Sequence, residues 1–326
     1  MTQIYLIRHG EAEGNIYRRF HGWHDTFLTG LGLRQLEYLK KKFESIHVDV
    51  CYASDLTRAS QTAQAVYVPK GLKLQQDPAF RELYVGTWED AAYSEIFRGE
   101  LYEHTMDFTY HPETWTHPEA ETYQQYTQRF IDAMTRYAME NDGKTMVITC
   151  HSAGLRGVLM RLFYNDRNVG IPSIDNTSVT HITYENGKYT ANFIADNSHL
   201  PQEFSHIAEW RAFLDNLNGK SKYIRTHRQL LQDHIYIRCF TDEEEVGRAC
   251  ISYVHDNVGE FKELELKPEY SHMLYQLQVF GEAVSYYRSQ SAKAMLISDG
   301  VFPQEVLDRA GVVDGRMQLY TGDMVF

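Results

Sequence analysis

Ile4-Tyr5-Leu6-Ile7-Arg8-His9-Gly10-Glu11 is the stretch that decides the fold. Its apolar run is too short for an amphipathic helix and fits a buried strand. The strand ends abruptly in an arginine, a histidine and a glycine. In an open α/β sheet, ligands bind outside the carboxyl ends of the strands. That position makes His9 a candidate nucleophile and Arg8 a candidate grip on an anion beside it.

Working outward, the same pattern recurs. A strand over Val48–Ala53 runs into Ser54-Asp55-Leu56-Thr57-Arg58 at the start of a helix. A strand over Thr145–Thr149 runs into Cys150-His151-Ser152. Between them, Arg81-Glu82-Leu83 lies in a loop. Helical spacing predicts helices over about Leu31–Glu44, from Arg58 through Ala65, over Thr122–Glu140, and after Gly154 to Tyr164. A short strand falls at Leu72–Leu74. Two alternating runs around Asn186-Gly187 predict a hairpin. Strands and helices in this order make an α/β domain over residues 1–200.

Beyond Pro201 the character changes. A helix over His206–Leu217 precedes the basic residues Lys222, Arg225, His227 and Arg228, which read as a solvated face. Strands follow over His234–Phe240, Val246–His255 and Phe261–Leu266, then a helix to Arg288. Ala292–Ser298, Arg316–Tyr320 and Met324–Phe326 read as further strands. Residues 205–326 thus form a second, α+β domain.

Composition narrows the function. The chain has 326 residues, room for one large or two medium domains. A formal net charge of -12 argues against broad nucleic-acid binding, although a local cluster of Arg and His can still hold an anion. No apolar run is long enough for a membrane span. The first strand starts so close to Met1 that a cleavable leader is not expected. Cys51, Cys150, Cys239 and Cys250 form no C-x-x-C pair and read as buried free thiols of a cytoplasmic protein. No histidine pair has metal-ligand spacing, so no metal and no cofactor are assigned.

Strand ends in a parallel sheet converge on one rim. Arg8, His9, Arg58 and His151, with Glu82 from the loop, therefore form a single candidate cluster. Two guanidinium groups and two imidazoles suit the three oxygens of a phosphoryl group. A histidine in line and a carboxyl group for the leaving oxygen complete the chemistry.

These blocks resemble the histidine phosphatase, or phosphoglycerate mutase-like, superfamily. The matches are Arg8-His9-Gly10-Glu11, Asn15, Ser54 to Ala63, Arg81-Glu82-Leu83 followed by Gly86-Thr87-Trp88-Glu89, and His151-Ser152, in order. The resemblance implies a three-layer α/β/α domain in which His9 is phosphorylated transiently. Arg8, Arg58 and His151 would hold the phosphoryl group, Asn15 would orient it, and Glu82 would act as general acid and base. Gly22, Trp23 and Tyr84 are added as substrate-pocket residues. Ala12 stands where the family usually has Thr or Ser. The segment from Glu82 to His151 is modest and has no evident second phosphate clamp. Its aromatic residues, Tyr84, Trp88, Tyr93, Phe97, Tyr102, Phe108 and Tyr110, fit an apolar entrance or the packing of a short cap. The expected activity is hydrolysis of a small organic phosphomonoester without metal. Mutase-type phosphoryl transfer, or a non-catalytic phosphate-binding scaffold, are the alternatives.

The second domain resembles a GNAT-type acetyltransferase, through Glu245 to Ala249, Phe261 to Tyr270 and Phe280 to Arg288. Working members follow the Pro-Glu-Tyr with an Arg or Gln and several glycines, whose amides cradle coenzyme A. Here Ser271-His272-Met273-Leu274-Tyr275-Gln276 stands instead. The resemblance therefore implies a degenerate domain without acetyl-CoA binding, available for a homodimer contact.

Overall fold

A computed structural model of the chain describes residues 1–98, 111–166 and 170–319. The aromatic residues Tyr102, Phe108 and Tyr110 and the expected strand at Met324–Phe326 fall outside them. Among the described residues no helix is long and apolar enough to cross a membrane. The fold divides into two compact units that are interleaved along the sequence. Unit 1 holds Met1–Ala12, His21–Glu89 and Phe97–Ala212; unit 2 holds Glu13–Phe20, Asp90–Ile96 and Phe213–Phe326.

Unit 1 is built on β1 (Thr2–Arg8), α1 (Gly30–Phe43), β2 (Val50–Ala53), α2 (Thr57–Tyr67) and β3 (Leu74–Gln76). It continues with α3 (Tyr123–Glu140), β4 (Thr145–Cys150), α4 (Ser152–Phe163), β5 (Val179–Glu185) and β6 (Lys188–Asp196). The helix α5 (His206–Asp215) follows, and its last residues are grouped with unit 2. The sheet order is β3-β2-β4-β1-β5-β6. β3, β2, β4 and β1 are parallel, and the predicted hairpin β5–β6 joins antiparallel to β1.

Alternation along β1 explains the layers, since successive side chains take opposite faces of a sheet. Tyr5 and Ile7 pack with Leu39 and Phe43 of α1 and with Ala63 and Val66 of α2. On the other face, Thr2 donates its hydroxyl to the Ala138 carbonyl of α3 at 2.8 Å. Both faces are thus covered, and Ile4, Leu6 and Ile7 are fully buried. α1 begins as its sequence dictates, with the Thr29 hydroxyl accepting the Gly32 N–H as an N-cap.

Unit 2 has its own six-stranded sheet. Four strands, β7 (Arg225–Leu230), β8 (His234–Thr241), β9 (Glu244–Ser252) and β10 (Val258–Leu266), form an antiparallel meander. Then come α6 (Met273–Ser289), β11 (Ala294–Ile297) parallel to β10, α7 (Gln304–Ala310) and β12 (Arg316–Gln318). The basic residues Arg225, His227 and Arg228 lie on β7, an edge strand that their polar pattern had not announced. α6 is apolar on most sides, as suits a helix sunk in a core. Its Phe280 meets Phe302 and Phe261, with ring centroids 5.3 and 6.1 Å away.

The early segments belong to unit 2 because they pack on α6. Tyr17, from the one-turn helix Glu13–Tyr17, lies against Gly281 so closely that a Cβ there would come 2.4 Å from the Tyr17 Cβ. Arg19 donates to Asp90 at 2.9 Å, Glu282 at 3.1 Å and Ser285 at 2.9 Å, and Arg288 donates to Glu13 at 2.9 Å. These pairs are largely sheltered from solvent, so removing one partner would strand a buried charge.

Candidate active site

β1 and β4 lie side by side and parallel, with Arg8 opposite Cys150. The next residue on each strand is a histidine, so His9 and His151 leave the sheet together. Both are buried, and their ring centroids are 5.3 Å apart. The strand end is held on every side. The His9 amide donates to the Cys150 carbonyl at 2.9 Å, and the Asn176 amide nitrogen donates to the His9 carbonyl at 3.0 Å. The Gly10 N–H donates to the Thr62 hydroxyl at 2.9 Å.

His9 Nδ1 sits 2.7 Å from the Gly10 carbonyl. A carbonyl can only accept, so Nδ1 carries the proton and a neutral ring leaves Nε2 bare. The neutral form is favoured: burial first, then the Arg58 and Arg8 charges, hold the His9 pKa well below its usual value. His151 is depressed in the same way by burial, Arg58 and His9. Among the described residues, neither of its ring nitrogens has a hydrogen-bond partner.

Arg58 starts α2 and is only 1% exposed. Its terminal nitrogens donate to the carbonyls of His24 at 3.1 Å and Gly22 at 2.8 Å, and its Nε has no partner among the described residues. Burial draws its pKa down, although nearby acids oppose this. A buried guanidinium bonded to carbonyls, with donor capacity left over, is a site suited to an anion. Arg8 is also buried and donates to the Ile174 carbonyl at 2.7 Å.

The loop carrying Gly22 and His24 is fixed by Glu89. Its carboxylate accepts the amides of Trp23 at 2.9 Å, His24 at 2.5 Å and Val85 at 3.1 Å. Burial raises the Glu89 pKa, against those amides and Arg58. Gly22 is required here, because a Cβ would lie 2.0 Å from the Glu89 Oε1.

Glu82 is set against the start of α4, which begins one residue after His151. Its carboxylate accepts N–H bonds from Ala153 at 3.0 Å and Gly154 at 2.6 Å, and from Leu83 at 2.9 Å. Its carbonyl is braced by Trp23 Nε1 at 2.8 Å and Arg129 at 2.7 Å. Arg129 in turn forks onto Glu121 at 2.8 and 2.7 Å. Arg81 forks onto Asp55 at 2.7 and 2.6 Å and lies over the Trp23 ring. The two central motifs are therefore tied to each other directly.

Of the expected site residues, His9, Arg8, Arg58, Glu82 and His151 all belong to unit 1, as do Gly22, Trp23 and Tyr84. The Tyr84 ring is 5.1 Å from that of Trp23. Asn15 lies on the Glu13–Tyr17 helix and is grouped with unit 2. Trp88 departs from the entrance reading: it is buried against Trp115 and His117, with centroids 5.5 and 4.4 Å away, and is core. Sequence reasoning missed Asn176, Glu89 and Arg129 as site supports. Glu89 stood in a quoted motif, but Asn176 and Arg129 gave no signal beyond an Asx loop and a helix surface. Cys51 and Cys150 are buried free thiols, and burial pushes Cys51 up to about 12. Among the described residues, the one group of three possible metal donors is Glu11, His206 and Glu209.

Comparison with known proteins identifies a family for unit 1. The family model described as "Histidine phosphatase superfamily (branch 1)" matches residues 4–197. A curated relative, "Probable phosphoglycerate mutase GpmB" of Proteus mirabilis, is 27% identical over 202 residues, 59% of this chain and 89% of its own. The solved structure of Bacillus stearothermophilus YhfR superposes with a TM-score of 0.57 at 28% identity, covering 61% of this chain and 99% of its own. The α-ribazole phosphatase of Shigella flexneri covers 60% of this chain and 96% of its own, with a TM-score of 0.51. At 22% identity it shows likeness of fold alone.

Proposed function

Because the chain belongs to the histidine phosphatase superfamily, we propose that unit 1 hydrolyses a small organic phosphomonoester through a phosphohistidine at His9. The observation that carries this reading is the neutral, buried His9 ring, whose proton is held on Nδ1 by Gly10 beside the carbonyl-bonded Arg58. The bare Nε2 attacks phosphorus in line and the P–O bond to the leaving group breaks. Arg8, Arg58 and His151 take the charge of the phosphoryl oxygens. Glu82 gives a proton to the departing alkoxide, then takes one from the water that splits the P–N bond. The cycle returns Glu82 to the acid form and His9 to its free state, and releases inorganic phosphate. None of these steps assigns a role to a metal.

The test is phosphate release from a chromogenic monoester in the presence of a chelator. Turnover that disappears in His9→Ala supports the hydrolase. The name of the Proteus mirabilis relative favours a second reading, mutase-type transfer. Activity seen only as isomerisation dependent on a bisphosphate primer would replace the first reading with the second. A pocket that binds phosphate yet never forms phosphohistidine would instead mark a scaffold.

For unit 2 we infer a GNAT-like domain that does not bind acetyl-CoA. The meander β7–β10, the helix α6 and the parallel strand β11 support the likeness. The start of α6 supports the loss. Its Leu274 N–H is taken by His272 Nδ1, and the Gln276 amide closes back on the Ser271 carbonyl at 2.6 Å. Side chains thus occupy the turn where glycines would admit a pyrophosphate. Tight binding of acetyl-CoA in calorimetry would overturn this assignment.

A further inference from the structure

We propose that Glu11, His206 and Glu209 form a binding site for one divalent transition cation, of the zinc class, behind the nucleophile strand. Their donor atoms all lie within 4.8 Å of one another. The residues come from two places far apart in sequence. Glu11 is two positions past His9 and is 0% exposed, while His206 opens α5 and is 6% exposed. His206 and Glu209 are three apart on that helix, which puts both on one face.

The donor set matches the ion. One imidazole nitrogen and two carboxylates suit zinc, whose bonds to nitrogen and oxygen are about 2.0–2.2 Å. Two ligands on a tetrahedral ion with such bonds are about 3.4 Å apart. His206 Nδ1 and Glu11 Oε2 are already 2.9 Å apart, sharing a proton. Moving them apart by about half an ångström lets a cation replace that proton. Glu209 is half-buried and provides the third donor, and a water would fill the fourth position.

Existing bonds orient the buried carboxylate. The Thr29 hydroxyl donates to Glu11 Oε1 at 2.7 Å, and the Glu11 N–H donates to Gln35, which itself reaches the Phe204 carbonyl at 2.7 Å. Hydrogen-bonded supports of this kind fix a ligand's direction and tune affinity. A dication would also balance two carboxylates at a place where an isolated buried charge is unfavourable. Because Glu11 follows Gly10, the ion would stiffen the turn that holds the His9 proton without joining the chemistry. It is a positioning site, independent of which phosphoryl reaction unit 1 performs.

The test uses the full chain, stripped by chelator and dialysed, and titrated with Zn2+ against a chromophoric competitor. Co2+ serves as a spectroscopic substitute for tetrahedral coordination. The expected result is one Zn2+ bound at micromolar or tighter affinity, with intense visible Co2+ bands and a rise of several degrees in Tm. Glu209→Gln should weaken binding at least tenfold and remove the Tm rise, while leaving the His206–Glu11 bond in place. That variant keeps the test open if His206→Gln proves unstable. Equal affinity in wild type and Glu209→Gln, or no Zn2+ bound at micromolar concentration, would overturn the site and leave His206–Glu11 a plain hydrogen-bonded pair. Binding is read without turnover, so failure of the phosphatase reading would not be mistaken for failure here.

Discussion

The Gly10 carbonyl at 2.7 Å gives His9 one tautomer, and burial, with two guanidinium groups beside it, keeps the ring neutral. Neither fact depends on a bound substrate, so in the proposed mechanism the ring is ready to attack before a phosphoryl group arrives. Arg58 is prepared likewise by two carbonyls. Arg58→Lys keeps the charge but loses the planar fork that these carbonyls and a phosphoryl group share. We expect kcat/KM for a chromogenic monoester to fall by about 100-fold or more, the scale of losing one preorganised donor. Unchanged turnover would remove Arg58 from the clamp. These residues were legible in the sequence because the chemistry restricts them to few residue types at strand ends. Glu89, Asn176 and Arg129 were harder to read, because each acts through a backbone atom of another residue, which any residue there would present.

At the scale of elements, register does the assembling. Pairing Arg8 with Cys150 puts His9 beside His151, and sheet order puts β4 between β1 and β2. The apolar runs and the Asn-Gly hairpin foretold those strands; the pairing partners depended on long-range contacts that periodicity does not encode. The loop before β5 completes the frame around Arg8 and His9 through Asn176 and Ile174. Asn176→Ala removes one buried hydrogen bond to the His9 carbonyl, a loss of about 1 kcal/mol in stability. Because the strand end then loosens, kcat should drop more than KM rises, measured on the same monoester. Equal kinetics in wild type and variant would show that the loop only packs. α7 and β7 escaped the sequence reading for a simpler reason. α7 is only seven residues long, and β7 is an edge strand with a polar pattern.

Across the whole molecule, two interleaved units share one chain. That interleaving was not legible, since it depends on Tyr17 and Arg19, close after the first motif, and Asp90, just past the Glu82 motif, packing on α6. Stability should follow pH through the buried imidazoles of unit 1. His9 and His151 are held well below their ordinary value of about 6.5, and His199 is lowered to about 4, chiefly by burial. The unfolded chain takes up protons near pH 6.5 that the folded chain refuses, so this contribution is full above that pH and shrinks as pH falls below it. Each group adds a slope approaching about 1.4 kcal/mol per pH unit. Scanning calorimetry should therefore show Tm falling from pH 7 to pH 5; a flat profile would mean that these rings are protonated in the fold. The most direct test of His9 as the phosphoryl acceptor is rapid-quench trapping with a monoester carrying labelled phosphorus, followed by peptide mapping. The expected result is an acid-labile, base-stable label on His9 Nε2 that vanishes in His9→Ala along with turnover. Turnover that persists in His9→Ala, or label on any other residue, would contradict it.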